Sequence, residues 1–352
     1  MTAVAPVEHP VRTRVHRSMA LVLALALVQA GCTDASDGTG SGGITDTSAR
    51  QPLPGAPGAN SADNPISGAR FWVDPASDAR LTADAWRARR AADAVQLDKI
   101  GNQSQARWFG DWNSTAQLAS EVDRAATTML ASGAMPVFVA YNIPQRDCGS
   151  YSANNVTAAA YRDWISAFAT GLRGRRAVVV LEPDGLAETD CLSADGLAAR
   201  MELMRFAVAT LTAKGGLVYI DAGQAGWHPP ATMARRLIDA GIAGAQGFSL
   251  NVANFATTPE NAAYGEAISA LVGGKHFVID TGRNGLGSNG QWCNPAGRAL
   301  GERPSSATHY GLVDAYLWIK TPGQSDGACG GAPSSGIWMP EYALGLAQRA
   351  AF

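Results

Sequence analysis

Four aspartates carry the chemistry this chain is best equipped to do. Asp147, Asp184, Asp221 and Asp326 each follow a short apolar, β-like run, in Y-N-I-P-Q-R-D-C, V-L-E-P-D-G-L-A, Y-I-D-A-G and I-K-T-P-G-Q-S-D-G. If those runs are parallel strands, their C-terminal ends share one face, where β/α barrels build their active sites. Paired carboxylates there suit glycosidic bond hydrolysis, one protonating the leaving oxygen while another acts on water. Taken singly, P-D-G, D-A-G and S-D-G are ordinary turns in which Asp caps backbone amides. Four at strand ends are harder to assign to turns alone. Glu182, inside its run, is placed to ion-pair or hydrogen-bond beside Asp184.

Other chemistries find less support. Beyond the leader only His228, His276 and His309 remain, with no H-E-x-x-H and no Cys/His ligand spacing, so no metal or other cofactor is expected. Gly323-Gln324-Ser325-Asp326-Gly327 matches the serine-hydrolase elbow in form, but that elbow needs a helix after it and a later histidine. A-C-G-G-A-P-S-S-G follows instead, and His309 is the last histidine. Trp108, Trp112, Trp227 and Trp292 lie near predicted strand ends beside polar residues, where flat rings could stack on the C–H faces of sugars. Trp318, within a strand run, reads as core.

The elements that must position these groups alternate. β-like runs span Arg107–Phe109, Pro136–Tyr141, Ala177–Glu182, Leu217–Asp221, Gly247–Asn251, His276–Asp280 and Ala315–Lys320, most of them continuously apolar, as strands covered on both faces are. Between them, Leu118, Val122, Ala125 and Met129 keep one helical face, as do Leu197, Met201, Met204, Val208 and Leu211. Strand and helix alternating in this way predict an α/β fold with a parallel sheet, closed as a barrel where polar strand ends converge. An open doubly wound sheet is the alternative, but it would normally show a Gly-rich phosphate loop, and none stands in that context.

The whole chain sets bounds on the rest. Its 352 residues are 46% hydrophobic, enough for one large core, and a net charge of -2 without a long Lys/Arg run argues against nucleic acid or an anionic membrane as partner. Residues 1–31 read as an export signal, with Arg12, Arg14 and Arg17 ahead of an apolar run too short to span a bilayer. Cys32 ends V-Q-A-G-C, which resembles the bacterial lipobox except for Gln29 where Leu is usual. Lipidation of Cys32 and ordinary cleavage nearby both stay open. Residues 32–64 read as a Gly/Ser/Pro-rich tether, and 65–352 as a single catalytic domain. The remaining Cys148, Cys191, Cys293 and Cys329 can pair fully in an oxidising compartment, with three connectivities open. The local pairs Cys148–Cys191 and Cys293–Cys329 would each brace loops that carry candidate site residues.

At these motifs the sequence resembles glycoside hydrolase family six, the inverting cellulases that comprise endoglucanases and cellobiohydrolases. The resemblance runs from about Asn64 onward through A-R-W-F-G-D-W, V-L-E-P-D-G-L-A, V-Y-I-D-A-G, G-F-S-L-N-V-A-N-F, F-V-I-D-T-G-R-N-G, W-C-N-P-A-G-R-A-L-G and W-M-P-E-Y-A-L-G-L-A. It implies a distorted seven-stranded parallel β/α barrel. It also implies Asp184 as general acid, Asp147 as the carboxylate that raises the acid's pKa and links to water through a solvent relay, and Asp326 as the carboxylate often proposed as base. Tyr141 matches a residue that crowds the sugar at the cleavage point. Trp108, Asp221, Trp227, Asn251, Trp292, Lys320 and Gln324 match substrate-binding or site-shaping positions. Gln224 and Gln324 depart from the family's common His and Glu, each losing a titratable group while keeping hydrogen-bonding capacity.

Short stretches after Cys148 and between Asp326 and Trp338 imply an open cleft, and with it endo-acting hydrolysis of β-1,4-glucosidic bonds. A cellobiohydrolase and a catalytically weakened β-glucan-binding protein are the alternatives. The expected partner is an uncharged β-glucan such as cellulose or mixed-linkage glucan, met by an exported, monomeric bacterial enzyme, secreted or held at the cell surface.

Overall fold

The computed structural model describes residues 64–352. The export signal, Cys32 and the tether as far as residue 63 lie outside the described residues. Asn64, which composition places at the end of the tether, is buried, and its side-chain amide donates to the carbonyl of Asp314 at 2.9 Å.

Two helices, α1 (Asp78–Trp86) and α2 (Ala91–Gly101), precede the first strand. Then come β1 (Arg107–Gly110), α3 (Thr115–Ala131), β2 (Val137–Tyr141), α4 (Ala158–Leu172), β3 (Ala177–Leu181), α5 (Ala194–Thr212), β4 (Gly216–Asp221), α6 (Pro230–Asp239), β5 (Gly247–Leu250), α7 (Thr258–Leu271), β6 (His276–Asp280), β7 (Val313–Leu317) and α8 (Pro340–Gln348). All seven strands are parallel and pair in chain order. This is the distorted seven-stranded barrel expected.

The continuous apolar runs arise because each strand is buried on both faces. Val137, Val139, Tyr141, Val178, Val180, Tyr219, Val278 and Ala315 fill one cluster with Ile66, while alternate residues such as Phe138, Val179, Ile220, Phe248 and Ile279 join a second cluster with the helices. The period of two along each strand separates barrel interior from helix layer. On α3 the predicted face, Leu118, Val122, Ala125 and Met129, is buried. On α5 the prediction fails at one end: Leu197 is exposed, because the buried stretch of that helix begins only at Arg200.

The seventh strand also differs from expectation, running Val313–Leu317 rather than Ala315–Lys320. Asp314 obscures its start in the sequence, yet its carboxylate is satisfied inside by the Tyr219 hydroxyl at 2.6 Å and His276 Nδ1 at 2.7 Å. Past Leu317 the chain leaves the ladder and faces β1. There the seam is held by the amide of Ala106, donating to the Trp318 carbonyl at 2.9 Å, and by the Trp108 indole, donating to the Ile319 carbonyl at 2.7 Å. Trp318 is buried, as predicted, and its indole donates to the Glu302 carbonyl. Strict alternation breaks once, between β6 and β7, where residues 281–312 form no helix. The two disulfides are the local pairs, Cys148–Cys191 and Cys293–Cys329.

Candidate active site

The acidic residues at the strand ends divide into two groups that the sequence does not separate. Glu182, Asp221 and Asp280 point into the structure and work on backbone. Glu182 accepts the amides of Asn142 and Ile143, from the loop after β2. Asp221 accepts the amides of Asp184 and Gly223, each at 3.1 Å, and the Ser249 hydroxyl. Asp280 accepts those of Ala253, Gly282 and Lys320, from the loops after β5, β6 and β7. Each carboxylate therefore satisfies amides that no ladder reaches and fixes a neighbouring loop. Burial pushes Glu182 and Asp221 up to about 7 against the pull of those amides.

The second group, Asp147, Asp184 and Asp326, faces a cavity of about 780 Å³. Trp108, Tyr141, Trp227, Trp292, Lys320 and Gln224 share its lining, which brings together most of the residues singled out in the sequence. Asp221 and Asn251, read as substrate-binding or site-shaping, are buried and do not line the cavity. Asn251 is fully buried, its amide donating to the Asp280 carbonyl and its oxygen accepting from Ala256. Gln324 opens instead onto an adjoining groove. Ser325 of the formal elbow motif is fully buried, with its hydroxyl bonded to the carbonyls of Gly327 and Pro333, so it is no nucleophile.

Asp184 has the environment of an acid. Burial, then the negative charges of Asp221 and Asp147, push it up to about 8, so it keeps its proton at neutral pH. Its backbone is left-handed, at φ 67°, as is that of Glu182, Asp147, Cys148, Asn251 and Asn294. Outside glycine such geometry costs on the order of 1–3 kcal/mol per residue, and here it clusters at the functional end of the barrel. The clamps just described, the Cys148–Cys191 bridge and Arg200 offset that cost. Arg200, buried on α5, donates to the carbonyls of Gly185, Pro144 and Gln145, tying the loop of Asp184 to that of Asp147.

Around Asp147 the polar groups form a chain. Ser152 donates both its amide, at 2.7 Å, and its hydroxyl, at 2.9 Å, to Asp147 Oδ2, and that hydroxyl lies 2.7 Å from the Tyr141 hydroxyl. Arg146 braces the loop from behind, donating to the carbonyls of Tyr141 and Ser152 and pairing with Asp111 at 3.2 Å. Glu188 also lines the cavity; burial, then its hydrogen bond with Asp147, push it up to about 8. On the opposite wall, Asp326 Oδ2 pairs with Arg283 at 2.9 Å and accepts the Asn294 amide at 2.9 Å, while its own amide donates to Asn294 Oδ1. Lys320 donates to the Ser325 carbonyl, and burial draws it down to about 8.

Sequence reasoning gave no role to Arg146, Ser152, Glu188, Arg200, Arg283 or Asn294. Arg146, Arg283 and Asn294 sit inside motifs already singled out, Q-R-D-C, T-G-R-N-G and W-C-N-P, so adjacency to the acids was the available signal. Arg200 and Glu188 left no such trace, because their partners are distant loops and a neighbouring wall.

Comparison with known proteins identifies the family. The family model for glycosyl hydrolases family 6 matches residues 66–350. Endoglucanase A of Cellulomonas fimi is 45% identical over 287 residues, which cover 81% of this chain and 62% of that protein. Endoglucanase 1 of Streptomyces halstedii is 41% identical over 299 residues, 82% of this chain and 91% of that one. Among solved structures, the endoglucanase Cel6 of Mycobacterium tuberculosis, bound to methyl-cellobiosyl-4-deoxy-4-thio-β-D-cellobioside, superposes with a TM-score of 0.78 and 46% identity over 81% of this chain and 98% of that chain.

Proposed function

The chain belongs to glycosyl hydrolases family 6, and we propose that it cuts internal β-1,4-glucosidic bonds of cellulose or a related β-glucan by a single displacement that inverts the anomeric carbon. The observation that carries this reading is Asp184, buried beside Asp221 and in one cleft with Asp147 and Asp326 and the indoles of Trp108, Trp227 and Trp292. Asp184 gives its proton to the leaving oxygen as the glycosidic bond breaks, and water attacks from the opposite face. The water's proton passes to Asp147 along the hydroxyl of Ser152. Asp326, ion-paired to Arg283, holds negative charge toward the developing oxocarbenium carbon. Trp108, Trp227 and Trp292 offer flat faces to the sugar rings.

The stretches from Cys148 to α4 and from Asp326 to Trp338 are short, and the walls touch through Tyr151, whose half-exposed ring packs near Trp292 and against Gly327. One half-exposed side chain does not make a roof, so a glucan enters from the side at any internal bond. Two disulfides fit an oxidising compartment, and we read residues 1–31 as the export signal and 65–352 as the catalytic domain.

Viscosity of soluble cellulose, followed alongside reducing ends, tests the endo reading. Early loss of viscosity with few new ends is expected. Cellobiose accumulating from the outset at nearly constant viscosity would instead make Tyr151 part of an effective roof and the protein a cellobiohydrolase. Binding without turnover would make it a glucan-binding protein.

A further inference from the structure

We propose that the groove running from Trp108 past Trp112 is a distal subsite, with Trp112 as the platform for glucose rings of the same chain that lies in the catalytic cleft. This rests on reading that cleft as a β-glucan site. The groove encloses about 700 Å³ and shares Trp108, Tyr141, Ser152, Lys320 and Ser335 with the catalytic cavity, so the two are continuous and a polymer extended past Trp108 runs into the groove.

Trp112 is 60% exposed, yet its placement is built rather than incidental. Its six-membered ring lies against Gly110, the last residue of β1, so closely that a Cβ there would stand 2.4 Å from the ring. Only glycine lets the indole rest on the strand end. Asn113 fixes the turn that carries it: its amide donates to the Gly110 carbonyl, its side-chain oxygen accepts the Gly110 amide, each at 3.0 Å, and its side-chain amide donates to Glu121 at 2.7 Å. The ring is thus held against the strand end while most of it stays exposed and lines the groove. Trp72 also lines the groove, and Asp74, Asp78 and Asp111 add carboxylates that accept hydrogen bonds from hydroxyls. An apolar platform among these acceptors and the donors Arg107, Gln105 and Gln324 suits a neutral sugar, whose C–H face stacks while its hydroxyls both donate and accept.

Comparing kcat/KM for cellotetraose, cellopentaose and cellohexaose tests this. In the wild type the values should rise with length. Trp112→Ala should lower the hexaose-to-tetraose ratio by roughly five- to tenfold, the scale of one stacking contact, and Trp112→Phe, which keeps a ring on Gly110, should retain part of the gain. An unchanged ratio, or an equal loss at every length, would overturn the subsite while leaving the catalytic reading intact. No turnover of any oligomer by the wild type would overturn both.

Discussion

Asp184→Asn is expected to lower kcat/KM on unsubstituted cello-oligosaccharides by about 10³- to 10⁴-fold, because the asparagine keeps the shape of the acid but has no proton to give. Substrates whose leaving groups need little protonation should lose far less, and the contrast separates lost acid catalysis from general damage. Stability should not fall. A carboxyl raised to about 8 from an ordinary value near 3.8 stabilises the fold in its protonated form. That contribution is complete below the ordinary value and is lost as pH rises through about 8, so a permanently neutral Asn should hold or raise the Tm at alkaline pH. For the same reason wild-type kcat should decline as pH passes through about 8. Near-normal cellulose hydrolysis by the variant would remove Asp184 from its role.

Arg283→Met should be the most damaging change to the frame of the site. The Arg283 and Asp326 side chains are only 1% and 6% exposed, so their ion pair lies out of water. Arg283 also packs over the Phe255 ring and donates to the Ala253 carbonyl. Removing the cation strands a buried carboxylate, and breaking such a pair from one side typically costs about 3–5 kcal/mol. The double variant Arg283→Met with Asp326→Asn removes both charges and should recover much of that stability without recovering activity. Urea unfolding measures both, and a single-variant loss below about 1 kcal/mol, the range of exposed pairs, would show that solvent screens this one.

Much of this architecture is legible in the chain because strands buried on both faces leave continuous apolar runs. V-V-V within β3 and F-V-I-D in β6 declare themselves without help. The seventh strand is misplaced because Asp314 hides its start, and an internal partner such as Tyr219 is invisible in one dimension. The four aspartates look alike in sequence, each polar after an apolar run, yet Asp221 serves backbone amides while Asp147, Asp184 and Asp326 face the cavity. What separates them is the direction each side chain takes in the folded loops, which turn sequences such as Q-R-D-C, P-D-G and S-D-G do not disclose. Arg200 shows the remaining limit, since its partners lie in loops that only folding brings to α5.

The central claim is that Asp184 acts on one face of the sugar while water attacks from the other, which requires room for that water, about 6.5–9.5 Å between the carboxyl groups of inverting sites. Proton NMR of cello-oligosaccharide cleavage, recorded before mutarotation, reads the outcome directly. The account predicts that the newly formed reducing end appears first as the α-anomer. A β-anomer as the initial product would show retention, and with it a covalent intermediate, and would contradict the account.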